Sequence, residues 1–214
     1  MHITSIEKEF VRDLARRYLD GIEIAERARR IENWRAINSL RPAPPPVYIR
    51  AFAWREHNDS KCVCENPLAR DLENVFRNRL VRASFNDDTV DEPWFQTGCH
   101  YKSTGWGMNA KRTYPDEAEG LTAYKQDNPI HDYAVDLPKL LAPRLEIDTE
   151  KTDEREAEIN DLIGDLMPVE MYRGTWARGW QGDIAMWLGN LRGMENLMLD
   201  VYERPDELKR LAAW

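Results

Sequence analysis

Hydrophobic and polar positions alternate along this chain in two rhythms. From Ser5 to Leu40 the apolar residues Phe10, Leu14, Tyr18 and Leu19, then Ile24, Ala28, Ile31, Trp34, Ile37 and Leu40, return every three or four residues among arginines and acids. That spacing predicts two amphipathic helices broken at Gly21. The prolines of "RPAPPP" exclude further helix and favour an extended rod. The β-branched and aromatic run "VYIRAFA" then predicts a first strand.

"NPLARDLENVFRNRLVRASF" returns to helical spacing through Leu68, Leu72, Val75, Phe76 and Leu80, with Asn66 as the expected cap and Pro67 at the first helical position. "DDTVDEPWF" reads as a second strand, and Gln96 to Pro129 as a Gly- and aromatic-rich hairpin or functional loop. "DLPKLLAP" predicts a turn with a short helix. "DEREAEINDLIGDL" predicts a surface helix with Ile159, Leu162, Ile163 and Leu166 inward, "MPVEMYRGT" a third strand, and the remainder two or three helices, one ended at Arg204-Pro205. Strands alternating with helices imply parallel pairing and an α/β layout.

Composition narrows the function. Hydrophobic residues make up 42% of the 214 residues and charged ones 32%, a balance expected of a folded globular chain. A net charge of -8 argues against general nucleic-acid binding, which needs a basic face. No apolar run approaches the roughly 20 residues needed to span a bilayer, and "MHITSIEKEFVRDLARRYLD" lacks a signal-peptide core. A cytoplasmic protein is the expectation. Three cysteines, with Cys62 and Cys64 only two apart, fit reduced thiols better than a disulfide framework.

Four stretches, "WRAINSLRPAPPPVYI", "STGWG", "PIHDY" and "GMENLMLDVYERPDELKRL", occur in an order that resembles the N-terminal half of the uroporphyrinogen decarboxylase-like superfamily. The likeness is to the bacterial branch bordering the corrinoid methyltransferases. It implies an incomplete (β/α)8 barrel over residues 42–214, preceded by a helical segment over 1–41. It also implies methyl transfer, with porphyrinogen decarboxylation or a non-catalytic binding or interaction remnant as alternatives. Zinc and a corrinoid protein partner belong to the full-length family, but the zinc ligands lie in a later half that this chain does not contain. The fragment is then expected to need a C-terminal half, or self-association, to cover its open sheet edges. Two positions depart from the pattern: Ala51 and Ala53 stand where relatives carry an acid and a proline, and only Arg50 and Arg55 are near the place of the decarboxylase's paired arginines.

In a parallel barrel the functional side chains sit at the carboxyl ends of strands. This nominates Trp54, Arg55 and Glu56 after the first strand, Glu92, Trp94 and Phe95 at the second, and Tyr172, Arg173 and Trp176 at the third. Arg55 and Arg173 suit a carboxylate or phosphate, the tryptophans suit a planar ligand, and Glu92 suits proton transfer if buried. The bland alternative is surface ion pairs and core aromatics. No catalytic residue is assigned. Cys62, Cys64, Cys99 and His100 have the wrong spacing for a structural zinc site. His131 beside Asp132 reads as a structural histidine, and the glycines around Trp106 as a turn.

Overall fold

The computed structural model describes residues 2–50, 53–114, 124–174 and 183–213. Its chain is mixed α/β, and its compact units are interleaved in sequence: Met1–Gly98 with Asp153–Tyr172, and Cys99–Thr152 with Arg173–Trp214. The chain therefore leaves the first unit twice, after each strand of one parallel pair.

In the first unit, helix α1 (Ser5–Asp20) opens with a capping box in which Thr4 and Glu7 satisfy each other's backbone, and it stops at Gly21. Helix α2 spans Ile24–Asn38. Helix α3 (Pro67–Ala83) is capped by Asn66, whose side chain accepts the N–H groups of Leu68 and Ala69 at 2.9 and 3.1 Å. Helix α5 (Thr149–Ile163) supplies Ile159, Leu162 and Ile163. These meet Val11, Leu14, Leu72 and Phe76 in one apolar core. Arg12 ties α1 to the end of this region, pairing with Asp165 at 2.6 Å. Strands β1 (Phe95–Gly98) and β6 (Val169–Tyr172) pair in parallel, Phe95 against Val169.

The expected first strand is not seen in its described part. Val47–Arg50 joins no sheet, and two of its donors are taken by side chains: Val47 N–H donates to Asp88 at 2.9 Å and Ile49 N–H to Asp87 at 2.6 Å. Ala51 and Phe52 lie outside the described residues. The expected second strand begins late for a related reason. Pro93 has no N–H, and pairing starts only at Phe95, whose N–H reaches Pro168 O at 2.9 Å. The third expected strand is β6.

The second unit holds two antiparallel pairs, β2 (Tyr101–Ser103) with β5 (Leu145–Ile147) and β3 (Lys111–Thr113) with β4 (Lys125–Asp127). The one-turn helix α4 (Tyr133–Asp136) and helices α6 (Ile184–Arg192), α7 (Met194–Glu203) and α8 (Pro205–Ala212) complete it. A smaller core gathers Ile130, Tyr133, Leu137, Leu140, Leu191 and Leu211. Helix α7 is turned against the usual pattern: its buried residue is Asp200, while Met198 is 69% and Tyr202 87% exposed. Among the described residues the sheets are two-stranded, and no helix is long and apolar enough to cross a membrane.

Candidate functional site

The acidic stretch Asp87–Glu92 is clamped by arginines of α2 and α3. Arg27 donates through Nε to Asp91 O at 3.0 Å, pairs with the Glu92 carboxylate, and lies over the Trp94 ring at 5.5 Å. Arg30 reaches Thr89 O at 2.9 Å and the Asp91 carboxylate at 3.6 Å, and Trp34 Nε1 donates to Asp88 O at 2.7 Å. Arg79 is half-buried among the rings of Tyr18, Phe76 and Phe95 at 5.0, 5.8 and 5.6 Å, and it donates to Trp94 O at 3.1 Å. Burial pulls its guanidinium pKa down and raises that of the Asp91 carboxyl. A cleft of about 410 Å³ beside this clamp is lined by Glu26, Arg27, Arg30, Asn86 and Asp91. Its charges are already matched to one another, which is the signature of a fastening rather than of an open site.

The nominated residues therefore separate. Glu92 and Trp94 share Arg27, but both precede β1, at its amino end, because the strand starts later than expected. Trp54, Arg55 and Glu56 form a 3₁₀ turn and not the end of a strand; Trp54 Nε1 donates to Asn74 at 2.7 Å and its ring stacks on His57 at 5.6 Å. Arg55 and Glu56 are exposed. Phe95 is core, and Tyr172 closes β6. Among the described nominated residues, Arg173 alone follows directly after the carboxyl end of a paired strand, and it is exposed. Trp176 lies outside the described residues.

The thiols do not suit a metal. Burial, then the Glu73 carboxylate, pushes the Cys64 thiol up to about 12, so its thiolate is disfavoured. Glu73 is itself fully buried, accepting the N–H groups of Val63 and Cys64 at 2.9 Å and Arg77 Nε at 2.7 Å. Among the described residues no group of three or more His, Cys, Asp or Glu is placed to hold a metal ion. The described cysteines thus do not fit a structural zinc site.

The second unit contains the features that periodicity misses. Asp200 accepts from Tyr133 Oη at 2.6 Å and from Arg192 Nε at 2.7 Å, while Arg192 also donates to the carbonyls of Ile130 and His131 at 3.1 and 2.9 Å. The Arg192 hydrogen bond holds Asp200 below the usual carboxylate range; burial, then Asp200, pushes Tyr133 up to about 12. This network joins "PIHDY" to "GMENLMLDVYERPDELKRL". His131 faces Asp127 at 3.4 Å rather than Asp132, which caps α4 through Ala134 N–H at 2.8 Å. The acid to look for lay 67 residues downstream of Tyr133, inside an apolar run.

Beside this network lies an aromatic groove. Gly105 and Gly107 adopt φ of 65° and 76°, and a Cβ on Gly107 would meet Leu141 Cγ at 2.9 Å, so the turn needs glycine there. It presents Trp106, whose ring sits 5.7 Å from that of Trp187 at 48°. The two half-buried rings, with Met108, Arg112, Asn190 and Leu191, line a cavity of about 190 Å³. Arg112 Nε donates to Gln126 Oε1 at 3.3 Å, and Gln126 Nε2 to Asn190 Oδ1 at 3.4 Å. Among the described residues no carboxylate pairs with Arg112; its charge lies 4.6 Å over the Tyr124 ring. Of the clefts described, this one combines aromatic walls with polar groups that are not locked into ion pairs.

No protein-family model, curated protein or solved structure matches the chain.

Proposed function

We propose that this chain is the N-terminal portion of a uroporphyrinogen decarboxylase-like (β/α)8 barrel from the corrinoid methyltransferase-like branch. In this reading the first unit supplies barrel framework, and the second holds a small-molecule substrate in the Trp106–Trp187 groove. The observation that carries the reading is the parallel β1–β6 pair, approached through α5, with the chain passing into the second unit after each strand's carboxyl end. Parallel strands joined through helices are the unit from which such barrels are built, and their sites grow from the loops after those ends. A parallel sheet of two strands also leaves both outer edges to be covered, which supports pairing with a polypeptide carrying the remaining strand–helix units.

The groove lining supports binding more than chemistry by this chain alone: among the described residues Arg112 is its one ionisable side chain, and arginine stays protonated. Proton transfer and any metal or corrinoid chemistry then fall to the later half and a corrinoid protein. Size-exclusion with light scattering tests the assembly, on the purified chain alone and with a polypeptide carrying the later strands of the same family. Self-association or a mixed complex is expected. A compact monomer in both runs overturns the reading.

A further inference from the structure

The proline-rich stretch after α2 has a surface pattern that neither a helix nor a strand produces. Residues 41–50 take neither conformation, and exposure among them repeats every three residues. Ala43 and Pro46 are half-buried, and Ile49, at 42%, is the least exposed of Val47, Tyr48 and Ile49. Between these stand exposed pairs: Arg41 with Pro42, Pro44 with Pro45, and Val47 with Tyr48. Three residues per turn is the period of a polyproline II helix, which the prolines at 42, 44, 45 and 46 favour. The edge of the rod through 43, 46 and 49 is the covered one, and the other two edges face outward.

The rod is fastened at both ends. Arg41 N–H donates to Ala36 O at 2.8 Å; Val47 N–H donates to Asp88 Oδ2 at 2.9 Å and Val47 O accepts the Asp88 N–H at 2.8 Å. The Arg82 guanidinium lies 5.2 Å from the centre of the Tyr48 ring, which is still 53% exposed. The Arg41 charge is paired with Glu32 at 2.9 Å, which leaves its methylene stem as the apolar half of the first pair. Proline has no N–H to satisfy, and among the described residues no donor reaches the carbonyls of residues 42–46. The segment is therefore ordered in advance and offers proline rings and unpaired acceptors, which lowers the entropy lost on binding.

We propose that residues 41–48 are a docking strap for a partner protein carrying a polyproline-reading domain. Such domains have an aromatic-lined groove that takes an extended proline-rich segment. The pairs Arg41-Pro42 and Pro44-Pro45, three residues apart, fill two neighbouring pockets between its aromatic ridges, and Val47-Tyr48 fills a third. Ala43 and Pro46 are the spacers that point away from the groove. This inference stands apart from the barrel reading, since the strap lies wholly in the first unit and needs no later strands.

The probes are isotope-labelled SH3, WW and EVH1 domains, the three folds that read such segments, each titrated with the purified chain and followed by NMR. At least one is expected to saturate below about 1 mM, with its shifts confined to the groove aromatics. Pro42 and Pro45 are exposed, so Pro42→Ala and Pro45→Ala keep the fold, checked by circular dichroism, and each weakens that complex at least about fivefold. The double variant removes binding, whereas Ala43→Ser on the spacer edge leaves it within about twofold. No shift in any of the three domains, or an unchanged affinity in the double variant, overturns the proposal. A free peptide of residues 41–49 that binds while the intact chain does not also overturns it, since the strap is then covered in the folded protein.

Discussion

The two units solve the same problem, holding a small core together, by opposite means. The first buries a broad apolar interior from α1, α3 and α5 and pairs Arg27 and Arg30 with acids of the Asp87–Glu92 stretch in a partly exposed clamp at its edge. The second has a smaller apolar core and places Tyr133, Arg192 and Asp200 within it. A clamp at the edge can lose one member and re-solvate the other. A buried network cannot, because each survivor is left in a medium that penalises its charge. The contrast predicts where single substitutions are felt.

The strongest test is Asp200→Ala, which strands the Arg192 charge. A loss of about 3–5 kcal/mol is expected, and hydrogen exchange should show protection falling in α6–α8 and around Ile130 while α1 and α3 keep theirs. Equal loss in both units would break the comparison. Next comes Glu73→Ala, the buried acid of the first unit. It frees the N–H groups of Val63 and Cys64 and should cost about 2–3 kcal/mol by chemical denaturation, with protection lost in α3 first. Gly193→Ala follows. Its φ of 87° and a Cβ that would meet Asn128 Oδ1 at 2.9 Å predict a loss of about 1–2 kcal/mol, confined to the second unit. Asn66→Ala, removing the α3 cap, should cost about 1 kcal/mol.

Acid gives the smallest effect per group. Glu7 is held at about 2 by the Asn66 N–H and the Thr4 cap, Glu26 at about 2 by Arg29, and Asp165 at about 2 by Arg12. A carboxyl with a depressed folded pKa stabilises above its unfolded value and loses that contribution as pH falls through the folded one. Stability of the first unit should therefore decline from about pH 4 toward pH 2. Asp91 has the opposite sign, since burial raises its pKa and protonation relieves the folded state. Glu7→Gln should flatten the acid limb, as read from α1 helicity by circular dichroism, and Asp91→Asn should steepen it.

Helices were legible where the apolar spacing was regular. The break at Gly21, the Asn66 cap and the inward face of α5 all follow from residue type and period. The strands were less so. "VYIRAFA" has the composition of a strand, yet Asp87 and Asp88, about 40 residues downstream, accept its N–H groups before a neighbouring strand can. That same competition and Pro93 moved the start of β1 past Glu92 and Trp94, so two residues chosen for the carboxyl end of a strand stand at its amino end. Trp106 could be read as a turn residue but not as a wall, because Trp187 reaches it from a distant helix. Asp200 was hidden by its setting, an acid inside "NLMLDVY" that looks like a surface interruption and is instead the anchor of α7.

The interleaving of the two units has a consequence for biosynthesis. As the polypeptide emerges from a ribosome, α1 and α3 are available early, but the residues that close their core, Ile159 to Val169, arrive only after Cys99–Thr152 has been made. That intervening stretch must in turn wait for Arg192 and Asp200. For much of translation the nascent chain carries two unfinished cores at once, with contacts of high sequence separation still to be formed. A helper that shields exposed apolar surface during synthesis should raise the soluble yield of this chain more than that of one whose domains follow each other in line.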